Sequence, residues 1–164
     1  MYYIWVHHFM DLEVTKDLEN LDQDDILSCW RWRIPIVKSV ILVSCLGDLF
    51  LTGEDNAVYW LHTDCGKLTK EAETLDEFLE FLNDEEKVDI WFLPEFISEL
   101  IEAGKILKEN EVYSYKVLPV LGGEYNIDNI EPTDINVHFA LSGQICKQIK
   151  DLPDGTKVRV KVKK

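Results

Sequence analysis

Four histidines, four cysteines and 31 acidic side chains are the residues of this 164-residue chain from which chemistry could be built. His62 and Cys65 bracket Asp64, where a Cys–His couple or a pair of metal ligands can be drawn. Two ligands three apart, with no second pair at defined spacing, do not make a zinc site, and a structural turn is the expectation. His7 and His8 are adjacent, so their side chains diverge in a strand or a helix, and both read as packing or surface residues. His138, inside the apolar run 135–141, reads as a hydrogen-bonded histidine beside the core. No Gly-x-Ser-x-Gly elbow and no cysteine signature supplies a nucleophile. Leu121-Gly122-Gly123-Glu124 lacks the spacing of a phosphate-binding loop. With 31 acids, any chosen pair of carboxylates is uninformative; Asp24-Asp25 and Glu85-Glu86 are simplest as helix N-terminal acids, each gaining about 0.3 to 1 kcal/mol from the macrodipole. The expectation is a protein that is not an enzyme, with no catalytic residue, no metal site and no cofactor.

Seventeen Lys and Arg against 31 Asp and Glu leave a formal charge of −14, which excludes nucleic acid and anionic membranes as partners and favours a basic protein. Cys29, Cys45, Cys65 and Cys146 form no Cys-x-x-Cys pair and fit reduced thiols in a cytoplasm. Residues 1–10 carry no basic segment of a secretory signal, and no apolar stretch reaches 18 residues. The last 54 residues hold eight bases against seven acids, but no Pro, Gly or Ser-rich linker sets them apart, so a single domain over 1–164 is expected.

The elements that must position any site follow from periodicity. Val14, Leu18 and Leu21, then Ile26, Leu27 and Trp30, predict two short helices, the first within a helical extension over 1–25. Val40–Ser44, Asp48–Thr52 and Ala57–His62 read as strands, the last two joined by the four-residue loop 53–56. Thr74 with Glu77 is a capping-box spacing ahead of the face Leu75, Phe78, Leu79 and Leu82, and Asn83 with Glu86 repeats it. Val88, Trp91 and Phe92 predict a helix, and Pro94 starts another that ends at Gly104. Residues 111–115 suit a strand. Over 135–141 strand and helix patterns conflict, and length favours a helix ending near Asp151. Pro153-Asp154-Gly155 reads as a turn before a final strand through Val158, Val160 and Val162. Together they predict an α+β fold, a mixed, mainly antiparallel sheet packed with several helices.

Several motifs go further. Trp30-Arg31-Trp32, Leu46-Gly47-Asp48-Leu49-Phe50-Leu51 and Val58-Tyr59-Trp60-Leu61 are followed by Tyr113-Ser114-Tyr115-Lys116 and Pro119-Val120-Leu121-Gly122-Gly123-Glu124-Tyr125. Val137-His138-Phe139, Gly143-Gln144-Ile145 and Gln148 through Lys157 complete the set. This succession resembles the domain of Tdi-type type VI secretion immunity proteins over roughly residues 26–160, and more distantly the SUKH immunity superfamily. The resemblance implies a SUKH-like fold and a bacterial, cytoplasmic protein that binds and neutralises a cognate toxin, a basic nuclease, delivered by a type VI or related contact-dependent system. A non-catalytic regulatory or scaffold protein of the SUKH type is the alternative. Trp30, Gly47, Asp48, Phe50, Trp60, Gly122, Gly123, Gln144, Pro153, Asp154 and Gly155 are then architecture, with Trp30, Phe50, Trp60 and Tyr115 largely buried. Charge density places the partner on the helical acids Asp76, Glu77, Glu80 and Glu85, with Asp22, Asp24 and Asp25 beside them.

Overall fold

The computed structural model describes residues 8, 9 and 12–163. A two-stranded ribbon, β1 (His8–Phe9) and β2 (Leu12–Glu13), precedes a five-stranded antiparallel sheet. That sheet runs in the order β3 (Thr15–Lys16), β4 (Ser39–Ser44), β5 (Leu49–Thr52), β6 (Val58–His62), β7 (Lys67–Ala72). A second ribbon pairs β8 (Glu111–Tyr115) with β9 (Ile130–Asp134). The helices are α1 (Gln23–Ser28), α2 (Leu75–Phe81), α3 (Glu85–Phe92), α4 (Pro94–Glu102) and α5 (Ile135–Ile149). The fold is α+β as expected, and every strand pairing among the described residues is antiparallel.

β5 is the middle strand and is buried along its whole length. Side chains alternate across a strand, so Leu49 and Leu51 point to one face and Phe50 to the other. Leu49 and Leu51 pack with Ile26, Leu27 and Trp30 around α1 and with Ile135, Phe139 and Cys146 of α5. Phe50 packs with Phe78 of α2, Trp91 and Phe92 of α3, and Ile97 and Leu100 of α4. Helices α1 and α5 thus cover one face of the sheet and α2, α3 and α4 the other. On the second face Phe50 is the hub of an aromatic cluster, with ring centroids 5.6 Å from Trp60, 5.3 Å from Phe78, 5.5 Å from Trp91 and 6.0 Å from Phe92.

Local chemistry explains most boundaries. Thr74 Oγ1 accepts from Glu77 N, and the Glu77 carboxylate reaches back to Glu73 N at 2.6 Å, which is the expected capping box shifted by one residue. The cap of α3 is Asp84, accepting from Glu86 N, and not Asn83, whose side-chain amide donates to the Glu80 carbonyl. The ambiguity at 135–141 resolves to helix because Asp134 accepts from Asn136 N and Val137 N and so starts α5.

Two expected elements are different in the structure. The helical extension over 1–25 is corrected among the described residues: Val14 is buried between β2 and β3, Thr15 and Lys16 pair with Ser44 and Val43, and Leu18–Leu21 closes a turn. The apolar spacing there is shared by helix and strand, and an open edge of β4 decided for pairing. The final strand is also absent. Residues 157–163 join no ladder; instead Gln148 bonds the backbone N and O of Lys161, and Gln144 those of Lys163, so two side-chain amides of α5 take the place of a neighbouring strand. The edge strand β7 gave little periodic signal, since Lys67, Lys70 and Glu71 fill it with charge that also guards the edge.

Truncating the aromatic hub tests this packing. Phe50→Ala should lower the stability measured by chemical denaturation by about 3 to 5 kcal/mol. Tyr115→Ala, at a half-buried position, should lower it by less.

Candidate functional site

The turn from β4 to β5 holds the most concentrated polar chemistry. Gly47 has φ +81°, and a Cβ placed on it would lie 2.3 Å from His138 Nε2, so only glycine allows both the turn and the approach of the ring. His138 Nε2 lies 2.9 Å from the Gly47 carbonyl oxygen and 3.1 Å from Thr63 Oγ1, while Nδ1 lies 2.8 Å from Ser114 Oγ. A carbonyl has no proton to give, so Nε2 carries the hydrogen and Nδ1 accepts from the Ser114 hydroxyl. The next residue of the turn, Asp48, accepts from Trp60 Nε1 at 3.1 Å and from Thr63 N at 3.0 Å, with Thr63 Oγ1 3.1 Å away.

A serine hydroxyl on an imidazole nitrogen is the geometry of a nucleophile with its base. Two features set this pair apart from such a couple. His138 is buried in α5, and desolvation pushes its pKa down to about 4, so it takes up a proton poorly at neutral pH. Its far nitrogen meets a carbonyl and a hydroxyl, where a catalytic imidazole would have an orienting carboxylate. The cavity beside the pair, about 210 Å³, is lined by both Ser114 and His138, with Lys116 and Ser142, and by an apolar wall that includes Leu118, Leu121, Leu141 and Ile145. Asp64 acts electrostatically on both His62 and Cys65, but each has other engagements: His62 stacks on Trp60 and bonds Thr69, Asp64 accepts from Tyr125 OH at 2.8 Å, and burial, ahead of the neighbouring Asp64, pushes the Cys65 thiol up to about 11. Residues 63–66 form the expected turn. No group of three metal-ligating side chains occurs among the described residues. His7 lies outside them.

The motif residues occupy joints. Trp30 and Phe50 are fully buried, whereas Trp60 and Tyr115 are half-buried, a correction to the expectation that all four are largely enclosed; Tyr115 is edge-on to exposed Tyr125. Gly122, at φ +89°, ends the short turn Pro119–Leu121, and Pro153-Asp154-Gly155 is a turn closed by Thr156 N on the Pro153 carbonyl. Gly123 lies against the Val117 carbonyl, and Gln144 holds the tail.

The predicted partner-binding acids are not one patch. Asp22, Asp24 and Asp25 sit at the start of α1, on the α1 and α5 side of the sheet; Asp22 caps that helix and Asp24 pairs with Arg31 at 3.0 Å. Asp76, Glu77, Glu80 and Glu85 belong to α2 and α3, on the opposite side. Asp76, Glu80 and Glu85 are exposed, while Glu77 is half-buried and spends its carboxylate on the Glu73 amide. Sequence distance along the chain gave no hint of this division, because it is the sheet between them that separates the two groups. Missed altogether were Asp89, Glu95 and Glu99, which face a cleft between α3 and α4; their signal was the acidic spacing on both sides of Pro94.

Asp48 and His138 make stability depend on pH in two opposed ways. Part of the Asp48 residue still meets solvent, but its carboxylate is enclosed, and desolvation pushes its pKa up to about 7 against its three hydrogen-bond donors. The fold therefore holds that proton more tightly than the unfolded chain, and the contribution is fully present below about pH 4 and lost as pH rises through about 7. For His138 the folded value lies below the unfolded 6.5, so its contribution is present above that value and lost as pH falls toward about 4. Thermal unfolding followed from pH 4 to 7 should show Asp48→Asn gaining stability with pH up to 6.5 and His138→Gln losing it, with the unaltered protein flatter than both. Parallel curves for all three would show that neither group titrates with folding.

Comparison with known proteins adds to this geometry. No curated protein sequence matches the chain. Among solved structures, the crystal structure of Atu4351 from Agrobacterium tumefaciens has the same kind of fold, with a TM-score of 0.50 at 17% identity, covering 76% of this chain and 65% of that one. No helix among the described residues is long and apolar enough to cross a membrane. A family profile described as T6SS immunity protein Tdi1, C-terminal, matches residues 72–146, a narrower span than the 26–160 of the motif resemblance. That span runs from the end of β7 through α2, α3, α4, β8, β9 and most of α5, and over it the chain resembles the C-terminal part of the type VI secretion immunity protein Tdi1.

Proposed function

We propose that this chain is a bacterial immunity protein, a single non-catalytic domain that binds and neutralises a cognate toxin of a type VI or related contact-dependent system in the cytoplasm. The observation that carries the reading is that the family match spans the acid-lined helices α2, α3 and α4. A nuclease grips a phosphate backbone with basic side chains. An acidic inhibitor is steered to the same surface, so the toxin is a basic nuclease. Co-expression with a type VI nuclease toxin encoded beside this chain tests the reading, should its neighbouring open reading frame specify one: cells should survive only when this chain is present, and equal killing with and without it would refute neutralisation.

Asp76, Glu80 and Glu85 are exposed and have no side-chain partner among the described residues, so they act on encounter more than on fold. Replacing the three by Asn, Gln and Gln, with Glu77 left to its amide, should slow association with that toxin about tenfold at low salt and flatten its salt dependence. Dissociation should change less, as surface plasmon resonance at two salt concentrations would show. An association rate equal to that of the unaltered protein would move the interface elsewhere.

A further inference from the structure

Helix α3 ends at Phe92 and α4 begins at Pro94, so Leu93 closes one helix and opens the next in a left-handed conformation, φ 45° and ψ 58°. Its side chain is 46% exposed, and that of Ile90, one turn earlier, is 59% exposed. Between the two helices lies an open cleft of about 300 Å³ whose apolar wall is Leu93, Pro94 and Phe96 and whose rim is Asp89, Glu95 and Glu99. None of those three carboxylates has a hydrogen bond or ion pair among the described residues. The base on α3, Lys87, is drawn the other way, over the rings of Phe81 and Trp91 at 5.1 and 5.7 Å. Around α2, Glu73 is held by Lys70 and Glu77 by a backbone amide, which leaves Asp76 and Glu80 free there among the described residues.

We propose that the α3–α4 cleft is the anchor site for the cationic partner, receiving one Arg or Lys side chain flanked by an apolar residue. The inference rests on the toxin-binding reading and locates its energetic centre. The aliphatic stem of the incoming side chain lies on Leu93, Pro94 and Phe96, its charged head meets the three free carboxylates, and the apolar neighbour covers Ile90. An apolar wall inside a single-sign rim is the arrangement in which a few central contacts carry most of the binding energy while surrounding charges set the encounter. Charge complementarity selects the occupant: an acidic or neutral segment would leave three carboxylates desolvated without partners.

Two variants separate binding from folding. Leu93→Gly removes the exposed side chain at a position whose backbone favours glycine, so its thermal midpoint should rise while binding falls. The double variant E95Q/E99Q removes the charge without changing shape. The probe is a nine-residue peptide alternating Arg and Leu, with an Arg and Ser peptide of equal charge as control, titrated into the full chain and followed by backbone amide shifts. The Leu peptide should shift amides within 89–99, and either variant should weaken that response at least tenfold, while the Ser peptide should give a diffuse and weaker one. Equal responses to the two peptides, shifts centred on 71–86, or undiminished binding by Leu93→Gly would overturn the assignment. The toxin itself should lose affinity at least tenfold with Leu93→Gly; undiminished affinity would equally overturn it. A toxin that does not bind even the unaltered chain would instead sink the immunity reading, leaving the peptide result to decide the cleft.

Discussion

The contact between the Gly47 carbonyl and the His138 ring is the constraint on which most of this molecule depends. It joins the hairpin turn at the centre of the sheet to the longest helix, and it does so with a group that must stay neutral to be buried. Ser114 and Thr63 complete the ring's hydrogen bonds, which brings in β8 and the turn after β6; Asp48, beside the glycine, ties the same turn to Trp60. Each polar group in this small network has a partner, and that is what lets it specify one arrangement of sheet, ribbon and helix where an apolar contact would tolerate several. Farther along α5, Gly143 repeats the logic of close approach: a Cβ there would sit 2.6 Å from the Cys29 carbonyl oxygen, so α1 and α5 can touch backbone to backbone.

With the sheet fixed in that way, its two faces have different tasks. One carries α1 and α5 and ends in a basic tail held by glutamine amides. The other carries three short helices arranged around Phe50, and their outer surfaces hold a dense array of carboxylates. Those helices are short, and each derives its stability from an aromatic or aliphatic inner face and from capping side chains more than from its own length. Their outer faces are therefore free of packing constraints. A left-handed leucine between α3 and α4 is tolerated because Trp91, Phe92, Pro94 and Ile97 on either side are buried and over-determine the corner.

The legible part of the sequence was local. The strands at 40–44, 49–52 and 58–62, the Thr74 cap, Pro94 at a helix start and the glycine turns all come from residues within a few positions of one another, and the structure has them. The motifs pointing to an immunity family likewise sit in contiguous runs, and the family match covers 72–146 of them. Net charge is a sum over residues and needs no fold.

What only the tertiary structure decided depends on residues distant in the chain. Thr15 and Lys16 pair as strand and not helix because β4 offers an edge, and residues 161 and 163 are held by glutamines of α5 instead of a neighbouring strand. His138 is a buried joint only because Gly47, 91 positions away, leaves room for its ring. The acids that looked like one surface are parted by a sheet, and Asp89, Glu95 and Glu99 line one cleft only because two helices meet there. Sequence determined which side chains are present and how each short segment prefers to coil or extend. Burial and mutual approach determined which of them act together, since both are set by long-range packing that no local period encodes.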